Sequence, residues 1–285
     1  MRDGPGALRR WRLDGRWRPS RRLPRTHPRL VNARRLTWLG QASVLLDVGG
    51  LRIAIDPYFG EHPARLYPPG DAAPVASSVD AILVTHEHLD HFDPTFIRQA
   101  AVSRHVTLLV PTPLLDRASA LGADVTGVQP GDRVTLAPGV EVAVLPAWHG
   151  LTLADGYAEG RDAQGHARFL GYVVVADGLT IYHAGDTIVT PELVAAASQE
   201  HSDVALLPTN GRDAQREAAG IVGNMDGREA VEFAAIIGAR TLIPLHWDLF
   251  AGNTSDPQDV VTVAEAHGAG APAVVVPVRD ASFEL

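Results

Sequence analysis

Thr85-His86-Glu87-His88-Leu89-Asp90-His91 is the stretch whose reading decides this chain. Before it runs a short apolar segment, Val79–Thr85, that reads as a buried strand. After it come Asp93 and Pro94, an N-cap residue and a proline at the first helical position, which open a helix through Ala101. In extended backbone, residues i and i+2 point the same way. His86 and His88 therefore present two imidazoles to one ion. The chain then turns, and Asp90 and His91 reach towards a second ion nearby. Three histidines and Asp90 within six residues form a borderline ligand set suited to zinc, manganese or iron.

Two ions need more donors, and the chain offers them in similar settings. His149 follows the apolar run Val140–Leu145. Asp186 lies in His183-Ala184-Gly185-Asp186-Thr187, after Leu179–His183. His246 follows Thr241–Leu245. Each sits just past the end of an apolar run, where loops gather functional groups. Gly185 permits a tight turn, so Asp186 is the natural bridging carboxylate.

Working outward, Leu36–Leu39, Ser43–Val48 and Leu51–Asp56 read as strands, the last two joined at Gly49-Gly50. Residues 60–78, rich in Pro, Gly, Ala and Ser, read as a surface loop. Val106–Val110 is a strand, and Pro113–Leu121 a helix stopped by Gly122. Val134–Leu136 and Val140–Leu145 flank the turn Ala137-Pro138-Gly139. Tyr172–Ala176 and Leu179–His183 flank Asp177-Gly178, a strong hairpin signal. Helices over 191–199, 227–237 and 257–267 precede the strands Val204–Leu207, Thr241–Leu245 and Ala273–Val278. Strand meanders followed by helix–strand alternation occur in both halves. This predicts an α+β fold of two facing sheets with helices outside, a four-layer αββα sandwich.

Composition narrows the chemistry. The chain has 285 residues, 46% of them hydrophobic and 20% charged, as in ordinary globular proteins. It has no cysteine, which excludes disulfides, thiolate zinc sites, iron–sulfur clusters and cysteine nucleophiles. Nucleotide-cradling glycine motifs are absent. No apolar run approaches the ~20 residues that span a bilayer. A cytoplasmic location is expected, because no apolar segment of the secretory type follows the N-terminal arginines. Residues 1–35 hold twelve arginines and two acids (+10); the rest holds thirteen arginines and thirty-one acids (−18). The acidic body argues against a nucleic-acid partner. Residues 1–34 are expected to be a flexible Arg-rich extension, and residues 35–285 the functional domain.

With these motifs in hand, the sequence resembles the metallo-β-lactamase superfamily. The resemblance rests on THEHLDH, the later His149, HAGDT and PLHWD in that order, over roughly residues 35–280. It implies an αββα sandwich with the site at one edge of the sheets. By residue match, His86, His88 and His149 would hold one metal; Asp90, His91 and His246 would hold the other, with Asp186 bridging. Within the superfamily, WLGQASVLL, YHAGDT, HSDVAL, GNMDGREAVEFAAIIGARTLIPLHWDLF and NTSDPQD look similar to L-ascorbate-6-phosphate lactonase. WLG-x-x-S, Asp56-Pro57 and the His motif are also shared with N-acyl-phosphatidylethanolamine phospholipase D-like proteins.

These residues predict a hydrolase with two divalent ions, zinc or manganese, with iron an alternative. Two such ions share one water and lower its pKa towards neutrality. Asp90 and Asp186 are the expected catalytic carboxylates, holding metal and orienting the bridging hydroxide. A small anionic lactone or ester is the expected substrate. A phosphodiesterase and a non-catalytic binding protein on the same scaffold are the alternatives, and a homo-oligomer is compatible with either. Arg212 and Asn210 are the expected substrate contacts, because a guanidinium matches carboxylate or phosphate. The plainer role for Arg212 is an ion pair with Asp213 or Glu217. His183 and Asp248 are candidate proton donors, better read as partners that support the ligands. Tyr58, Trp247 and Phe250 line the pocket or pack the core, and Asn253 with Asp256 caps the last helix.

Overall fold

The computed structural model describes residues 9–10, 18–19, 34–149, 160–219 and 223–285. Within the Arg-rich segment it gives one antiparallel pair, Arg9–Arg10 (β1) with Arg18–Pro19 (β2). The expected flexibility of residues 1–34 otherwise falls outside the described residues.

Strands β3 (Arg35–Gly40), β4 (Ser43–Val48) and β5 (Leu51–Ile55) form the first meander. The parallel strands β6 (Ala81–Leu83), β7 (Thr107–Pro111) and β8 (Asp124–Val128) follow it in the same sheet. The second half repeats the plan. β9 (Arg133–Ala137), β10 (Val140–Pro146), β11 (Leu170–Ala176) and β12 (Leu179–His183) are antiparallel. β13 (Val204–Pro208), β14 (Thr241–Leu245) and β15 (Ala273–Val274) then add in parallel. The last strand, β16 (Ser282–Glu284), returns to pair with β3 and gives the first sheet its own fourth antiparallel member.

Both faces of the central strands, such as β4, β7 and β13, are buried, so these read as continuous apolar runs rather than alternating ones. Val44, Leu46 and Val48 point between the sheets, where Val142, Val144, Tyr172 and Val174 meet them. Leu45 points the other way, onto the cluster built with α2 (Pro94–Ser103) through Phe96, Ile97 and Ala100. On the far side, Val173, Tyr182, Ala205 and Leu207 pack against Leu193 of α4 (Pro191–Ser198) and Phe233 of α6 (Gly227–Ile236). Val260 of α7 (Pro257–His267) completes that outer layer. The result is the expected helix–sheet–sheet–helix sandwich. Among the described residues, no helix is long and apolar enough to cross a membrane.

Several elements differ from the sequence reading. The 60–78 loop carries a short helix, α1 (Ala72–Ala76), capped by Asp71. The helix expected over Pro113–Leu121 begins as a 3-10 turn, Thr112–Leu114, and becomes α3 only over Leu115–Ser119. β8 and β16 escaped the reading, since short edge strands carry little apolar pattern. α5 (Ala214–Ala218) was not expected either. The strand expected over Ala273–Val278 pairs only through Val274. Its next rung would be donated by Pro244 in β14, which has no N–H.

Candidate metal centre

The carboxyl ends of β5, β6, β12 and β14 open onto one side of the sandwich, where strand-end loops meet, as in other α/β sheets. The two sheets are stitched together there. Leu170 N–H donates to Thr85 O (3.0 Å), Tyr172 O–H to Val84 O (2.7 Å) and His183 Nε2–H to Ala42 O (2.8 Å).

Just past β6, Thr85 anchors the histidine motif. Its backbone N–H and its hydroxyl donate to the two carboxylate oxygens of Asp56, at 2.7 and 2.6 Å. Since the hydroxyl proton goes to Asp56, its oxygen accepts from His86 Nδ1–H (3.0 Å). His91 Nδ1–H also donates to Asp56 (2.7 Å). Both rings are thereby held with Nε2 facing the centre, which is how outer carboxylates and hydroxyls prepare histidine ligands. The motif closes into a turn, with the N–H groups of His91 and Phe92 both donating to His88 O. His86 Nε2 and His88 Nδ1 are 2.9 Å apart.

Asp186 reaches the centre from the β12 end. Gly185 has φ +63°, in the left-handed region, and its N–H donates to His183 Nδ1 (3.2 Å). His183 thus donates with one nitrogen and accepts with the other, the neutral imidazole, in line with burial lowering its pKa. His149 Nε2 lies 3.4 Å from Asp186 Oδ2, and His246 Nε2 lies 3.2 Å from the same oxygen and 3.4 Å from Asp90 Oδ2. His149 is held next to Asp186 by its neighbours: Trp148 N–H donates to Thr187 Oγ1 and Ile188 N–H to Trp148 O.

The seven side chains singled out as ligands come together in two groups. His86, His88, His149 and Asp186 offer donor atoms within 4.8 Å of one another, and so do Asp90, His91 and His246. The two groups differ in charge. Burial pushes His86 well below the usual imidazole range, and pushes His149 down to about 3. Burial opposes charge on His91 and His246 too, but facing carboxylates outweigh it. Asp186, Asp90 and Asp56 raise His91 to about 9, and Asp186 and Asp90 hold His246 well above its ordinary value. Burial would raise Asp186, yet His246, His91 and His149 hold it well below the usual carboxylate range. A cation fits this donor set. His91 Nε2 and Asp186 Oδ1 are buried, 3.4 Å apart, and make no hydrogen bond among the described residues. Such groups need a partner.

Of the two expected supports, His183 braces the Gly185–Asp186 turn, and Asp248 reaches the ligands through Gln41. Asp248 accepts from Gln41 N–H (3.0 Å) and Tyr67 O–H (2.5 Å). Arg212 is the clearest departure. Its guanidinium binds both oxygens of Glu229, at 2.7 and 2.6 Å, and donates to Asn224 O (2.9 Å). Asp213 pairs with Arg216 (2.6 Å), and the Glu217 side chain lies outside the described residues. The ion pair wins because Glu229, in the first turn of α6, faces the guanidinium with two acceptors. Asn210 is buried, bonded to Asn253 and Asn224. Asn253 therefore belongs to this amide cluster, and Asp256 alone caps α7. Trp247 stacks on Trp38 with ring centroids 5.0 Å apart, and Tyr58 lies buried 6.5 Å from Phe250. Sequence reasoning missed the structural parts of Asp56, Thr85 and Gln41. The one signal was Asp56-Pro57, a carboxylate closing an apolar strand.

Residues 51–247 match the beta-lactamase superfamily domain. This chain belongs to the metallo-β-lactamase superfamily. Within it, the chain is 34% identical over 227 residues to a UPF0173 metal-dependent hydrolase of Methanosphaerula palustris, covering 78% of this chain and 87% of the relative. It is 30% identical over 226 residues to that of Pyrococcus furiosus, covering 79% and 89%. These relatives make the chain a member of the UPF0173 metal-dependent hydrolases, and hence an enzyme of that kind. Igni18, a metallo hydrolase from Ignicoccus hospitalis, shares the fold with TM-score 0.67 at 22% identity, over 88% of this chain and 98% of that one. An isothiocyanate hydrolase from Delia radicum gut bacteria shares it with TM-score 0.68 at 19% identity, over 88% and 99%.

Proposed function

We propose that this metal-dependent hydrolase is dinuclear and opens a small anionic lactone or ester. His86, His88 and His149 would hold one divalent ion, zinc or manganese, and Asp90, His91 and His246 the other, with Asp186 within reach of both groups. The observation that carries this reading is the pair of donor groups sharing one side of the sandwich, with Asp186 in ion-pair range of His149 from one group and of His91 and His246 from the other. When bound, such ions would supply a nucleophile at neutral pH by lowering the pKa of a water. The chain's own residues prepare for this. Asp56 and Thr85 hold His91 and His86 with Nε2 inward. Asp90 is oriented by Gln41, and His183 fixes the turn that aims Asp186.

The preference for an anionic substrate rests on the likeness of the WLGQASVLL and GNMDGREAVEF segments to L-ascorbate-6-phosphate lactonase. The catalytic unit is residues 35–285, with residues 1–34 outside it.

Metal analysis with a substrate panel tests the reading. The purified protein should carry about two divalent ions per chain. Asp186→Ala and His86→Ala should each lose at least one ion together with hydrolysis. Anionic lactones should turn over faster than bis(p-nitrophenyl) phosphate. The reverse order would make the enzyme a phosphodiesterase, and full metal content with near-normal turnover in either variant would remove the ligand assignment.

A further inference from the structure

Gln41 stands outside both donor groups, yet touches members of one of them with its side chain and its backbone. It is 1% exposed, at the turn between β3 and β4, with φ +53°. A long, non-glycine side chain in that region is uncommon and points to a constraint at the site. Its Nε2 donates to Asp90 Oδ2 (2.9 Å) and lies 3.1 and 3.3 Å from the two ring nitrogens of His246. Its carbonyl oxygen accepts from His246 N–H (3.0 Å) and Trp38 Nε1–H (2.9 Å), and its N–H donates to Asp248. Its Oε1 has no hydrogen bond among the described residues.

We propose that Gln41 is a positioning residue for the Asp90–His91–His246 position: it sets that position's ion affinity by holding Asp90 and His246 in line. The proposal rests on the dinuclear reading. The amide presents its N–H side to the ligand atoms, and an N–H cannot bind a cation. It can fix the carboxylate that does, so that binding does not have to order Asp90. The carbonyl of the same residue fixes His246 from its backbone, so one residue sets two ligands that lie far apart in sequence. The hydrogen bonds of Gln41 to ligands run to Asp90 and His246, both in the second donor group. Its removal should therefore act on one ion and spare the other.

Two substitutions separate this from a packing role. Gln41→Met keeps the length and the backbone conformation while deleting the N–H. Gln41→Gly deletes the side chain at a φ that glycine adopts freely. Metal-stripped protein is titrated with zinc against a chromophoric chelator, and the thermal unfolding of the zinc-free chains is followed alongside. Wild type should take up two ions. Both variants should retain one with wild-type affinity and bind the other about 10- to 100-fold more weakly, the usual effect of losing an outer partner. Unchanged affinity for both ions, or an equal loss at both, in Gln41→Met would overturn the proposal. Fewer than two ions on the wild-type protein would overturn the dinuclear reading itself, whatever the variants do, and this inference with it.

Discussion

A guanidinium that already holds a carboxylate with two parallel hydrogen bonds has little left for a ligand, and Arg212 is in that state. Glu229 takes both of its terminal nitrogens and also serves the capping box with Asp226 at the start of α6. Burial would raise the Glu229 carboxyl, but Arg212 outweighs it and lowers its pKa. Arg212 thus fastens the loop after β13 to α6. Arg212→Ala should cost about 1 kcal/mol of stability, since the pair is partly exposed. It should lower kcat/KM for charged and neutral substrates alike. A ten- to hundredfold loss confined to anionic substrates would restore the role in substrate binding that residue type alone suggested.

At the scale of elements, the site depends on how strands end. Each of β5, β6, β12 and β14 delivers a polar residue just past its last rung. Gly185 shows how tight that geometry is. A Cβ there would lie 2.7 Å from Leu170 O and 2.8 Å from Thr85 Cβ, at a left-handed φ. Neither neighbour can yield easily, because Leu170 and Thr85 are joined by their own backbone hydrogen bond. Gly185→Ala should cost about 2–4 kcal/mol, from left-handed strain and overpacking together. It should also lower metal content, because Thr85 and Asp186 must both move. Gly178→Ala is the matched comparison: φ is +73° but nothing lies within 4 Å. It should cost only about 1–2 kcal/mol and keep its ions. Thermal melts and metal analysis on the two variants decide the point.

At the scale of the whole molecule, the fold distributes charge unequally over the two donor groups. Burial holds His86 and His149 below the usual imidazole range, whereas facing carboxylates raise His91 to about 9 and hold His246 well above its ordinary value. Ions bind neutral imidazole, so binding displaces whatever protons the ligands carry. Filling the His86–His88–His149 position should release fewer protons than filling the Asp90–His91–His246 position, and the affinity of the latter should climb as pH rises towards 9. Zinc titration calorimetry in buffers of different ionisation heat measures both. The molecule is also closed by its last residues. Phe283 pairs with Leu36, Leu285 N–H donates to Arg34 O (2.7 Å), and both side chains pack on the inter-sheet core. Deleting residues 282–285 should cost about 2–4 kcal/mol from lost apolar burial. It should leave the ion count unchanged, because β16 lies at the edge of the first sheet beside β3, and none of its residues belongs to either donor group.

The sequence by itself determined the layered architecture and the seven candidate ligands. Strands buried on both faces must be apolar throughout. Helix starts such as Asp93-Pro94 and Asp256-Pro257 carry their own caps within three residues. Histidines and aspartates directly after apolar runs stand out because that composition is costly unless used. Edge strands β8 and β16 were illegible, since what makes them strands is a partner elsewhere in the chain. The same holds for the supports of the site. Asp56 meets Thr85 across 29 positions, and Gln41 meets His246 across 205. Only the tertiary structure decided that Arg212 faces Glu229, that Gln41 meets Asp90, and which imidazoles are pushed up in pKa and which down. A hydrogen bond or a pKa depends on distance and burial in space, and those are set by packing two distant halves of the chain against each other.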